Sequence, residues 1–193
     1  QSALQVPVAF DTDVNGAVLA ETLWGAARGL RHAVYVTVGT GIGGGVINDG
    51  HIVHGLMHPE LGHMRIKRCA KDEHFKGVCP NHGDCLEGLA AGPAIKARVG
   101  LGGEEIPLDH ESWEVEANYL AQMCLNLSLV LSPEKIILGG GVMQKQGLID
   151  LVRKQYLREM NGYMDAVSKV GGVDNYICMP QTGPDAGLLG AFA

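Results

Sequence analysis

The stretch AVYVTVGTGIGGGVI, Ala33 to Ile47, decides the fold. Ala33–Val38 is a run of β-branched and aromatic residues, the composition of a buried strand. It enters the glycine loop Gly39-Thr40-Gly41-Ile42-Gly43-Gly44-Gly45 and leaves as a second strand near Val46–Ile47. Asn48-Asp49-Gly50 is a hairpin turn signal ahead of Ile52–Val53. The glycine loop therefore joins two strands of a β-hairpin and does not feed a strand into a helix. That rules out a dinucleotide fingerprint, and the lack of Gly-Lys-Ser/Thr rules out a Walker loop. Successive N–H groups, with the Thr40 hydroxyl, can still cradle phosphate oxygens. A glycine-rich hairpin with no ligand is the competing reading.

Outward from the hairpin, helices alternate with short strands. Val6–Phe10 reads as a strand and Asn15–Arg28 as a helix with an apolar stripe at Val18, Leu19, Leu23 and Ala26. Downstream, Leu86–Val99 reads as helical with a break near Gly92-Pro93, and residues 100–110 as loop. Glu111–Leu131 is a long helix ended by Pro133. Lys135–Leu138 is a buried strand, Gly147–Met160 a helix, Asn175–Met179 a strand, and a last helix begins at Ala186. The pattern is α/β. Apolar residues make up 46% of the chain, enough for it to fold, while only 5% are aromatic, and the 28 glycines cluster at strand ends.

Charge and hydropathy exclude some partners. Fifteen basic against 21 acidic residues give −6, with no long basic run, so nucleic acid is not expected. No apolar stretch is long enough to span a bilayer, and no signal peptide is visible, so neither membrane nor export is expected. Five cysteines, an odd number, argue against a disulfide framework and for a reducing, cytoplasmic setting. Cys124 and Cys178 lie in apolar patterns and are expected to be buried thiols.

Residues 57–88, MHPELGHMRIKRCAKDEHFKGVCPNHGDCLEG, hold a possible metal site. His63 precedes Cys79, His82 and Cys85, the last three spaced by three residues, and together they can close a tetrahedral zinc site. Cys69 and His74 compete as ligands in the same loop. Four protein ligands leave no place for water, which makes the site structural. A charged stretch such as RIKRCAKDEHFKG is easier to order with a metal than with its own small core. Glu60 and Glu87 flank the cluster, so a metal here would aim two carboxylates. Reduced surface cysteines and scattered histidines are the alternative.

Two further segments carry a plain and a chemical reading. Asp11-Thr12-Asp13-Val14-Asn15 sits where a strand would meet a helix. A carboxylate there can accept a proton from an attacking hydroxyl, but the local sequence favours Asp13 or Asn15 as a helix cap. In ILGGGVM, residues 137–143, flat glycine backbone can lie against a base and ribose, or simply turn from strand to helix. GPDAGLLGAFA at 183–193 reads as small-residue helix packing with Asp185 as cap.

Taken in order along nearly the whole chain, DTDVN, TVGTGIGGG, HPELGH, CPNHGDCLEG, GPAI, ILGGGV and AGLLGA closely resemble the ROK family of sugar kinases and repressors. The resemblance implies the actin-like ATPase (ribonuclease H-like) fold. It implies Asp13 as general base toward a sugar 6-hydroxyl, and Gly39, Thr40 and Gly41 at the phosphates of ATP. Gly140 and Gly141 would line the adenosine site. Glu60, His63 and Glu87 would bind sugar hydroxyls, with His63, Cys79, His82 and Cys85 as zinc ligands. Structural Zn2+ and Mg2+ with ATP are the implied cofactors, a hexose the substrate, and a homodimer the implied assembly.

Two departures bear on the sugar. Many members have Glu-Asn-Asp where this chain has Asp11-Thr12-Asp13, which argues against a standard glucokinase pocket. Many carry Cys-x-Cys-Gly-x-x-Gly-Cys, where a histidine here replaces one cysteine. Both point to the bacterial fructokinase branch. The family's opening Asp-x-Gly-Gly-Thr phosphate loop has no counterpart. The chain, residues 1–193, is therefore expected to be the C-terminal lobe with base element 11–15 and zinc loop 57–88, its N-terminal lobe missing. The rival expectations are a sugar-sensing repressor domain and a lobe left catalytically inert without its partner lobe.

Overall fold

A computed structural model describes residues 8, 10–183 and 185–193. One five-stranded mixed sheet organises them, in the order β3-β2-β1-β4-β5. The first helix, α1, is Asp13–Trp24; β1 is Ala33–Val38, β2 Ile42–Asn48 and β3 His51–Ile52. Two short helices follow, α2 Leu86–Ala90 and α3 Gly92–Val99, then the long α4, Ser112–Leu131. Next come β4 Lys135–Gly139, α5 Leu148–Met160, α6 Ala166–Lys169, α7 Val173–Tyr176, β5 Ile177–Cys178 and α8 Ala186–Gly190. The hairpin expectation holds: β1 pairs antiparallel with β2, and parallel with β4.

Strand alternation puts a different core on each face of the sheet. Val34, Val36 and Val38 of β1, with Ile136 and Leu138 of β4, pack against α2, α3, α4 and α5. Ala33, Tyr35, Ile47 and Ile137 point the other way, toward Ala17 and Val18 of α1 and Ala186 of α8. The glycines of β2 follow the same alternation. A Cβ on Gly45 would overlap the Val14 carbonyl of α1, and one on Gly44 would overlap the Leu61 side chain. Gly45 lets α1 lie on the hairpin at backbone distance, and Gly44 makes room on the other face for Leu61. Gly16 of α1 meets Gly187 and Gly190 of α8 equally closely, the small-residue packing expected of that segment.

Several boundaries differ from the expectations. The glycine turn is only residues 39–41; Gly43, Gly44 and Gly45 are strand, because they pair in register with Thr37, Val36 and Tyr35. The first helix begins at Asp13, two residues early, because Thr12 rather than Asp13 or Asn15 is its cap: Thr12 Oγ1 accepts the Asn15 N–H at 3.2 Å. It ends at Trp24, where Gly25 leaves the helical conformation. The strand expected over 175–179 is only Ile177–Cys178, because a helical turn takes up residues 173–176. Asp185 makes no side-chain capping bond. The strand expected over 6–10 lies largely outside the described residues. Cys124 is fully buried, its thiol pushed up to about 12 by burial, whereas Cys178 is only half-buried.

Residues 64–76, the charged stretch, are anchored to the core by protein contacts. Asp72 is buried and pairs with Arg98 of α3 through both oxygens, at 2.9 and 3.0 Å. Tyr119 of α4 donates to the same carboxylate at 2.8 Å, and its oxygen also accepts the Cys69 N–H. Arg98 lies 4.5 Å above the Phe75 ring, and Gln122 holds both the N–H and the carbonyl of Lys67.

Candidate active site and metal cluster

Two clefts open at the carboxyl ends of the parallel strands β1 and β4, where open α/β sheets commonly hold ligands. The smaller, about 430 Å³, is lined by Thr12, Asp13, Thr37, the 39–44 turn and strand start, His58, Pro59, Glu60 and Glu87, with Val14. The larger, about 720 Å³, lies between Gly92–Lys96 of α3, the Gly102–Glu104 loop, Trp113 and residues 141–146. Gly39 and Thr40 line both. The clefts thus meet at the glycine turn, which is tied to the start of α3 by the Gly92 N–H bond to the Gly39 carbonyl, 2.7 Å.

Asp13 stands exposed on the wall of the smaller cleft, in the first turn of α1, where the helix field favours a negative charge. Because Thr12 takes the cap, the Asp13 carboxylate spends only one oxygen locally, on the Val14 N–H at 2.9 Å. The turn before it is fixed by Asp11. That carboxylate accepts from the Thr12 N–H at 2.7 Å and the Asn15 amide at 2.6 Å, and pairs with His54 Nε2 at 2.9 Å. Burial acts to raise the Asp11 carboxyl, but these three partners outweigh it and hold it below its usual value. On the opposite wall Glu87 accepts the Ile42 N–H at 2.9 Å, joining α2 to the hairpin. A Cβ on Gly41 would come within 2.7 Å of the same carboxylate. Glu60 bonds His58 Nε2 at 2.9 Å.

The sequence-predicted residues divide. Asp13, Glu60 and Glu87 converge on the smaller cleft; Gly39 and Thr40 sit at the junction; Gly41 lines the smaller cleft and Gly141 the larger. His63 and Gly140 line neither cleft. His63 Nδ1 faces the thiols of Cys79 and Cys85, and Gly140, at φ +91°, presses against the backbone of Val38. Thr37 and His58 line the smaller cleft without having been singled out. Both open motifs already quoted, Thr37 that of TVGTGIGGG and His58 that of HPELGH.

His63, Cys79, His82 and Cys85 bring one ligand atom each within 4.8 Å of the others. His63 Nδ1 lies 3.5 Å from Cys85 Sγ and 3.8 Å from Cys79 Sγ, and His82 Nδ1 lies 3.8 Å from Cys79 Sγ. Bonds of about 2.0–2.3 Å in a tetrahedron place ligand atoms at about these separations, so the donor set fits zinc in both chemistry and size. Burial acts to raise the Cys79 thiol, but the backbone N–H groups of His82 and Asn81 and the Cys85 side chain outweigh it and draw it down. Gly77 and Gly88 leave no room for a Cβ against the Gly83 carbonyl, which packs this loop onto α2. Cys69 and His74 stand outside the cluster. The Cys69 backbone is tied to Tyr119, and His74 is exposed.

The ROK family model matches residues 1–193, end to end. The chain belongs to the ROK family. It is 46% identical to the fructokinase of Zymomonas mobilis over 195 aligned positions, covering all of this chain and 64% of that protein. It is 45% identical to the fructokinase of Lactococcus lactis, covering 93% of this chain and 60% of that one. The crystal structure of the ROK hexokinase from Thermus thermophilus superposes with a TM-score of 0.80 at 29% identity, over 98% of this chain and 65% of that one. The fold is therefore the actin-like ATPase fold of the ROK sugar kinases. This ROK chain spans less than two thirds of the length of these relatives. Among its described residues no helix is long and apolar enough to cross a membrane.

Proposed function

We propose that this chain is the base-bearing lobe of an ATP-dependent hexose kinase that converts fructose to its 6-phosphate. The observation that carries the reading is the meeting of two clefts at Gly39-Thr40, with the Asp13 carboxylate on the wall of the smaller one. A hexose fits the smaller cleft and a nucleotide the larger, with the phosphates passing the glycine turn. The fructokinase relatives support fructose as the sugar.

In this reading Glu60 and Glu87 accept hydrogen bonds from sugar hydroxyls, and the backbone of Gly39, Thr40 and Gly41 positions the phosphates. Asp13 takes the proton of the 6-hydroxyl as that oxygen attacks the γ-phosphorus and the bond to the ADP oxygen breaks. Magnesium bound with ATP supplies charge neutralisation at the phosphates. His63, Cys79, His82 and Cys85 hold a structural zinc, fixing the loop that leads into Glu87. The lobe that completes the family fold closes the site against water.

The test is a coupled assay of ADP release with fructose, glucose and mannose, on this chain and on its longest form. Asp13→Asn in the active form lowers kcat by about 10²–10⁴-fold while sugar affinity is retained. Near-normal turnover by that variant refutes Asp13 as the base. Sugar binding with no ADP release from any form favours a sensing domain instead.

A further inference from the structure

The larger cleft contains a lysine whose charge is already committed. Lys145, just after the short helical turn at residues 142–144, reaches across the cleft mouth to the loop after α3. Its Nζ donates to the Gly103 carbonyl at 3.2 Å and to the Ile106 carbonyl. The same ammonium lies 4.8 Å above the indole of Trp113, a cation–π contact. Trp113 in turn donates its Nε1–H to the Pro107 carbonyl at 2.9 Å. Segment 102–107 is thus fastened at three carbonyls by two side chains, both of which line the cleft. Gly102, Gly103 and Glu104 of that segment line the larger cleft and none of them lines the smaller.

A lysine in a nucleotide cleft is ordinarily read as a phosphate ligand. Here the three-fold engagement of Nζ argues otherwise, because freeing it for a phosphate would release the strap and uncover the indole. Resting on the reading of this cleft as the nucleotide site, we propose that Lys145 is a positioning residue. It fastens strap 102–107 as the outer wall of the cleft, and the wall contacts the nucleoside part of the nucleotide. The two roles differ in how affinity depends on phosphate number. A phosphate ligand strengthens ATP over adenosine, whereas a wall strengthens both by the same factor.

Trp113 supplies the readout. The chain has two tryptophans; Trp113 is 3% exposed in the cleft and Trp24 is 55% exposed at the end of α1. In a Trp24→Phe background the emission reports on Trp113 alone. Adenosine, ADP and ATP, the last two with magnesium, are titrated against this protein and against the same protein carrying Lys145→Met. The expected result is an equal weakening of all three, on the order of tenfold, with most of it restored by Lys145→Arg, which keeps the charge over the ring. Circular dichroism and melting of each variant establish folding. ATP weakened with adenosine unchanged makes Lys145 a phosphate ligand and overturns the proposal, as does no change for any of the three. Failure of all three to bind the parent protein overturns the nucleotide reading of the cleft itself.

Discussion

Replacing Asp72 by Asn removes one charge from a buried ion pair and leaves its shape almost intact. The Asp72 side chain is 5% exposed and that of its partner Arg98 11%, so neither is screened by water to any useful extent. Asp72→Asn loses the charge and turns one accepting oxygen into a donor, which faces an Arg98 N–H at either position and the Tyr119 hydroxyl as well at one of them. Removing one partner of a buried pair costs about 3–5 kcal/mol, chiefly because the other charge is stranded. Glu116 moderates the loss, because without the Asp72 charge, which raises its carboxyl, it gives up its proton more readily beside Arg98. It is fully buried beside Arg98, and among the described residues neither of its oxygens has a partner, nor has Arg98 Nη1. A cost near the lower end, about 3 kcal/mol, follows. In a domain of this size that is a fall of about 6–12 °C in melting temperature. The assay is thermal unfolding, paired with limited trypsin digestion at Arg68 and Lys71 and a metal determination. The expected outcome is early melting and cleavage in segment 64–76, with metal content unchanged. Melting within about 2 °C of the parent, or opening of that segment by a chelator alone, would refute the argument that α3 and α4, not the metal, hold it.

The metal cluster and the buried acid give two more expectations. Cys79→Ser lowers zinc from about one ion per chain to near zero and exposes residues 77–86 to protease, while 64–76 stays protected; elemental analysis with peptide mapping checks both. Glu116 titrates well above the usual carboxylate range, because burial disfavours its charge and Asp72 adds to that, while Arg98 opposes it. Its folded form thus prefers the proton, so the stability it contributes is complete below pH 4 and is lost as pH rises toward its folded value. Glu116→Gln melts above the parent at pH 7–8, by about 2–4 °C for each 1 kcal/mol recovered, and the difference shrinks toward pH 4. A variant less stable than the parent at neutral pH would show that Glu116 is charged and paired with Arg98.

Sequence alone determined the hairpin, the helix order and the grouping of Cys79, His82 and Cys85, because each rests on spacing along the chain. Asn48-Asp49-Gly50 specifies its turn locally, and Asp49 and Gly50 adopt the left-handed conformations it requires, φ 54° and 81°. Cys79, His82 and Cys85 are close because three residues separate them. Tertiary structure decided what depends on elements distant in the chain. It made Thr12 the cap and so left Asp13 free on a cleft wall. It joined the two clefts at Gly39-Thr40, turned His63 toward the thiols, and brought Asp72 to Arg98 and Lys145 to Gly103. Pairings of that kind are set by how helices stack on a twisted sheet, and one chain's order of residues carries no local signal for them.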